Sequence, residues 1–119
     1  MAQSVGILTI WWKGVKYDCA KGSSLRLPGM QNVTQVAGTT AHRSQQFQPG
    51  EVKATPLLLK GQSLAAFIPD DEGELQAQAD TGQVWTLPDA FLLSAPTMTD
   101  DGGKMPATWN CSTYTELLK

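Results

Sequence analysis

Asp70, Asp71, Glu72 and Glu74 crowd one short stretch of this chain, and Asp80, Asp89, Asp100 and Asp101 follow further along. Paired carboxylates are the usual carriers of general acid and general base work, which requires two of them on one face at a set separation. Here the spacing repeats on no single face, and no His or Lys base lies in a comparable setting, so solvated loops are the expected reading. His42 is the only histidine and sits beside Arg43 in a polar segment, without a second metal ligand nearby. A nucleophilic triad would have to recruit that same His42, and no Gly-x-Ser-x-Gly elbow is present. Gly102-Gly103-Lys104 fails as a phosphate loop, because Met98 stands where the first glycine belongs and Met105 where a hydroxyl is needed. Cys19 and Cys111 match neither a zinc pattern nor a disulfide framework. No catalytic residue, cofactor or metal is expected, and the chain is not expected to be an enzyme.

The composition sets further bounds. A chain of 119 residues makes one domain, 1–119, able to bury roughly two-thirds of its unfolded surface. Hydrophobic residues at 41%, with seven prolines and eleven glycines, describe a globular protein with frequent turns. The net charge is -2 and the nine basic residues are scattered, which disfavours tight DNA binding, since that draws on clustered cations. Val5 to Trp12 is apolar but far short of the roughly 20 residues that span a bilayer. With no basic leader before it, no membrane partner is expected, and the protein should stay in the cytoplasm where it is made.

Those residues must be positioned by strands. Val5 to Trp12 is apolar on both parities, as in a strand buried on two faces or sealed at a subunit contact. Lys13-Gly14 turns the chain, and Val15, Tyr17 and Cys19 alternate with polar residues in a strand that can pair back. Leu25 and Leu27 continue this style until Pro28-Gly29. Gln31 to Gly50 is polar, weakly patterned and too long for a simple connection, which marks a functional or disordered segment. Val52 to Leu59 resumes as a strand, with Pro56 restricting it to an edge or bulge. Ser63 caps a short helix running to Ile68. Leu75, Ala77 and Ala79 alternate into an Asp80-Thr81-Gly82 turn, and Val84 to Leu87 returns as the second strand of a hairpin. Met105, Ala107, Trp109 and Cys111 share one parity, giving a strand with one buried face. Thr113 to Lys119 prolongs that strand or packs on a neighbour. Trp85 reads as core before subunit contact, whereas Trp11 and Trp12 point to opposite faces, so one of them needs cover from outside. The expected fold is mainly β, two packed sheets in a sandwich or partly closed barrel, with one short α-helix and a long loop or hairpin arm at about 31–50.

The string Ala79-Asp80-Thr81-Gly82, then Trp85, Leu87 and Ala90, followed by Pro96 and Asp101-Gly102-Gly103, resembles the tail tube proteins of Mu-like contractile-tailed phages. The order of the elements before it fits as well, although few residues match between about Val36 and Leu59. What the resemblance implies is a structural subunit of the phage tail tube, which forms stacked hexameric rings and makes a hollow conduit for DNA ejection inside a contractile sheath. Its partners would be itself, the tail sheath, the tape measure, the baseplate and the terminator, with DNA passing through without specific binding. Its place would be the virion tail, assembled in the host bacterial cytoplasm. On that footing Trp11, Trp12, Arg43 and Phe47 are subunit-contact candidates. Asp70, Asp71, Glu72 and Glu74 are loop acids or acids of a lumen wall that repels the DNA backbone, and one cysteine could crosslink subunits. Two alternatives stand beside it: a small β-sandwich carbohydrate-binding module that uses the four tryptophans as platforms, and the tube of a phage-derived contractile particle that carries no DNA.

Overall fold

The structure is a computed structural model, and it describes residues 3–118. β1 (Leu8–Trp12) and β2 (Val15–Asp18) form the first hairpin. Lys13 and Gly14 between them both take positive φ, 52° and 87°, the primed turn whose twist matches paired strands. β3 (Ser24–Arg26) follows, then β4 (Gly29–Ala37), β5 (Thr40–Gln48) and β6 (Gly50–Ala54). β7 (Gly73–Ala79) and β8 (Val84–Leu92) make the hairpin expected around Asp80-Thr81-Gly82, with Gly82 at φ 101°. β9 (Ala107–Cys111) and the short β10 (Thr115–Leu117) complete the chain.

Pairing runs β2-β1-β7-β8-β9-β6-β3, antiparallel at every step. The sheet turns over on itself at β8. That strand pairs with β7 along one edge, while its other edge takes β10 at Val84–Thr86 and β9 at Phe91 and Leu92. The change of direction has a local cause. Leu75 faces Leu87 and Gly73 faces Ala90, so Pro88 and Asp89 together oppose Glu74 in a bulge. A proline is tolerated there because a bulge leaves a residue outside the ladder.

The two layers enclose one apolar cluster. Ile10, Trp12, Leu75, Ala77 and Leu87 come from the first layer, and Val52, Ala54, Ala107 and Trp109 from the second. Trp12 and Trp109 meet across it at 5.7 Å between ring centroids, Phe67 lies 6.1 Å from Trp109, and Tyr17 stands edge-on to Phe67 at 4.9 Å. Such pairs are worth about 0.5–1.5 kcal/mol each beyond the area they bury. Leu75, Ala77 and Ala79, and likewise Met105, Ala107, Trp109 and Cys111, are all buried, as their alternation predicts.

Several expectations change. The short α-helix is a 3-10 turn, Leu64–Phe67, still capped by Ser63, whose side chain accepts from the Ala65 N–H. Four residues are too few for an α-helix to hold, and the turn exists to drive Phe67 into the core. The strand expected over Val52 to Leu59 ends at Ala54, after which only single bridges, Cys19 with Pro56 and Leu57 with Lys104, tie the segment down. Since the Cys19 bridge is not a ladder, the sheet does not close into a barrel, and a sandwich is the better description.

Gln31 to Gly50, expected as a long loop or hairpin arm, is a hairpin despite its polar, weakly patterned sequence. β4 and β5 pair over nine consecutive rungs, from Gly29 opposite Gln48 to Ala37 opposite Thr40, and with no other strand. Gly38, at φ 63°, and Thr39 close the tip. At about 3.4 Å per residue the ribbon reaches roughly 30 Å from the sandwich. The radius of gyration of 16.9 Å shows this protrusion, since a compact chain of this length would give about 13.5 Å.

Candidate functional site

The most developed surface feature is this ribbon, and its register sorts its side chains. Met30 faces Phe47, Asn32 faces Gln45, Thr34 faces Arg43 and Val36 faces Ala41, so these eight share one face. The opposite face carries Gln31 with Gln46, Val33 with Ser44, and Gln35 with His42. Arg43 and Phe47, singled out from sequence, therefore stand on the same side. Asn32 and Gln45 link across it, with the Gln45 amide donating to Asn32 Oδ1 at 3.4 Å. Met30, Val36 and Phe47 are exposed.

A lone two-stranded ribbon is marginal in water, and each edge here offers nine residues of backbone. Edge strands normally protect themselves with charges, prolines or bulges. From Leu27 to Gly50 the only charged side chain is Arg43, and the ladder has no bulge. The anchorage at its root is tight. Arg26 donates to the Pro49 carbonyl through Nε and Nη2 at 3.3 and 3.0 Å, and a Cβ on Gly50 would lie 2.6 Å from Cys111 Sγ and 2.7 Å from Pro28 Cδ.

The remaining candidates are dispersed. Trp12 is buried in the chain's own core, its indole N–H donating to the Ala66 carbonyl at 3.1 Å, so it has no surface to offer a neighbour. Trp11 is half-buried on the outer face, in a row with Lys16, Gln76, Thr86 and Thr115. Asp70 meets Lys13 Nζ at 3.0 Å, an exposed pair. Asp71, Glu72 and Glu74 project into solvent, and Glu74 also accepts the Lys13 N–H at its backbone carbonyl. Among the described residues no group of three or more His, Cys, Asp or Glu side chains could hold a metal ion, and no helix is long and apolar enough to cross a membrane.

The motif residues have structural work. Leu87 and Ala90 are core. Asp80 accepts the Gly6 N–H at 3.1 Å and donates its own N–H to the Ile7 carbonyl at 3.0 Å, which holds the leading segment beside the β7–β8 turn containing Thr81 and Gly82. Gly103, at φ 72°, fits against Leu58, where a Cβ would lie 2.8 Å from the Leu58 carbonyl oxygen, and Asp101 pairs with Lys104 at 3.6 Å beside Gly102. Trp85 packs at the margin of the core and donates its indole N–H to Glu116 at 2.7 Å.

Asp89, expected as a solvated loop acid, instead lies within β8. Asp89, at the β8 bulge, accepts from the backbone N–H and hydroxyl of both Ser112 and Thr113, fixing the bend that delivers β10 to β8. Partial burial pushes its pKa up, but the bonds from Ser112 and Thr113 outweigh that and leave the carboxyl below its ordinary value. Both cysteines are free thiols. Burial pushes Cys19 up to about 11 against a weaker lowering by a Ser23 hydrogen bond, and burial followed by the nearby Asp89 charge raises Cys111.

The chain is thus a β-sandwich with a projecting, nearly uncharged ribbon. The family model described as phage tail tube protein matches residues 1–116, and this chain belongs to that family. Among the solved structures that share the fold are three at 12% identity. The sheath/tube terminator of an extracellular contractile injection system, PVC, in the extended state has a TM-score of 0.70 and covers 99% of this chain and 98% of its own. The tube-terminating cap of the anti-feeding prophage has a TM-score of 0.65, with 100% and 95% covered. The PVC sheath-tube complex gives 0.60, with 95% and 89% covered. No curated protein matches the sequence.

Proposed function

We propose that the chain, as one domain over 1–119, is the repeating subunit of a tail tube, forming hexameric rings that stack into a hollow conduit within a contractile sheath. The observation that carries this is the ribbon of β4 and β5, some twenty residues held outside the fold with open edges, in a chain of the tail tube family. Trp11, Arg43 and Phe47 serve as contacts between copies. The family motif residues Asp80 to Ala90 and Asp101 to Gly103 shape the subunit that makes those contacts. The acids Asp70, Asp71, Glu72 and Glu74 line or flank the lumen, where negative charge lets DNA slide past without adhering. Assembly takes place in the host cytoplasm, with the tape measure inside the growing tube and the baseplate at its start, and the product is a conduit for genome ejection.

Electron microscopy of the purified protein at rising concentration tests this: annular rings and hollow rods are expected. A species that remains monomeric at every concentration would falsify the proposal. The likeness to two terminators supports a second reading, a cap that closes a tube made by another protein. A cap gives single rings that never lengthen into rods, so the same grids separate the two.

A further inference from the structure

At the end of the sandwich where β1 begins, the two layers stay apart and leave a cleft of about 300 Å3. Val5, Leu8, Ser23, Leu25, Leu27 and Trp85 line it, and among the described residues Glu116 is the only ionisable side chain in its walls. The bond from the Trp85 indole to Glu116 holds both at the rim. At its far end the ribbon carries Val36 opposite Ala41, around Gly38-Thr39. Val36 is 72% exposed, more than any other large hydrophobic residue described. Arg43 occupies the next rung on the same face, two residues or about 6.8 Å behind the tip. The plug presents Val36 and Ala41 with one cation set back from its end, and the socket is mainly apolar with one carboxylate at its mouth. Among the described residues neither Arg43 nor Glu116 has a salt-bridge partner.

We infer that the ribbon tip of one copy seats Val36 in this cleft on a second copy, with Arg43 pairing to Glu116 at the rim. A single chain cannot satisfy itself: the ribbon leaves the cleft at Leu27 and carries Val36 roughly 30 Å away from it. Plug and socket on different parts of one surface make a head-to-tail contact, the kind that generates rings and filaments rather than closed pairs. The inference rests on the tube proposal and specifies which surfaces meet within it.

Two experiments on the full chain test it. First, a Val36→Cys copy and a Leu25→Cys copy are mixed, assembled and mildly oxidised, with the parent protein as control for Cys19 and Cys111. A dimer band on a non-reducing gel that only the mixture gives is expected, and rings or rods that yield no such band overturn the inference. Second, Arg43→Glu should raise the concentration needed for assembly at least tenfold, Glu116→Arg likewise, and the two together should recover most of the loss. A double variant no better than either single one overturns the pairing. If the parent protein forms no rings or rods, the tube proposal falls and takes the inference with it. If the parent assembles but crosslink and rescue fail, only the plug and socket fall.

Discussion

Removing the ribbon while keeping its root separates what holds the subunit together from what joins subunits. Gly29 and Gln48 lie opposite each other in the ladder, so Met30 to Phe47 can be replaced by a two-residue Asn-Gly turn without moving either end. Among the ribbon residues none is buried, and the Arg26 bonds to Pro49 and the packing of Gly50 lie outside the cut. Changes confined to such surface positions are worth within about 0.5 kcal/mol. For a chain of this size 1 kcal/mol shifts the thermal midpoint by about 4 °C, so the shortened protein should melt within about 2 °C of the parent. Its radius of gyration should fall from 16.9 Å to about 13 Å by small-angle scattering. Sedimentation and microscopy should show monomers where the parent assembles. Rods from the shortened chain would mean that the ribbon is not the contact, and a loss of folding would mean that it supports the core.

Gly50→Ala places a methyl against Cys111 Sγ, Pro28 Cδ and the Arg26 carbonyl, which should cost about 1–3 kcal/mol and lower the melting midpoint by about 4–12 °C. Gly103→Ala, with a positive φ and the Leu58 carbonyl in the way, should lose about 1–3 kcal/mol in urea titrations, while Gly102→Ala, with nothing near its Cβ, should lose less. Asp89 has a folded pKa below its unfolded value, so its stabilisation is present above pH ~4 and disappears as pH falls through the folded pKa; denaturation between about pH 2 and pH 5 should show that slope, and Asp89→Asn should flatten it. With its pKa near 11, Cys19 should react with iodoacetamide at pH 8 roughly 100-fold more slowly in the native protein than in the unfolded one.

Most strands can be read directly because one face of each is buried. Period-two alternation in Leu75 to Ala79 and in Met105 to Cys111 records burial, and the structure buries those positions. The Lys13-Gly14 and Asp80-Thr81-Gly82 turns were equally plain, since positive φ restricts residue choice. At about 31–50 the sequence leaves a long loop and a hairpin arm equally open, for the converse reason. Neither face of the ribbon meets the core, so Gln, Asn, Ser and Thr serve on both, and no alternation marks it as a strand.

By itself the sequence determined the fold class, the position of the two core hairpins and the family, because local turn chemistry and burial leave their mark on residue type. Tertiary structure alone decided which side chains share a surface. Trp11 and Trp12 are adjacent and look equivalent, yet only packing against Trp109 assigns Trp12 to the core. Val36 and Arg43 are brought to one face by the β4–β5 register, and Leu25, Trp85 and Glu116 to one cleft by the turnover of β8. Such juxtapositions depend on pairing between strands far apart in the chain, and no residue states its distant partner.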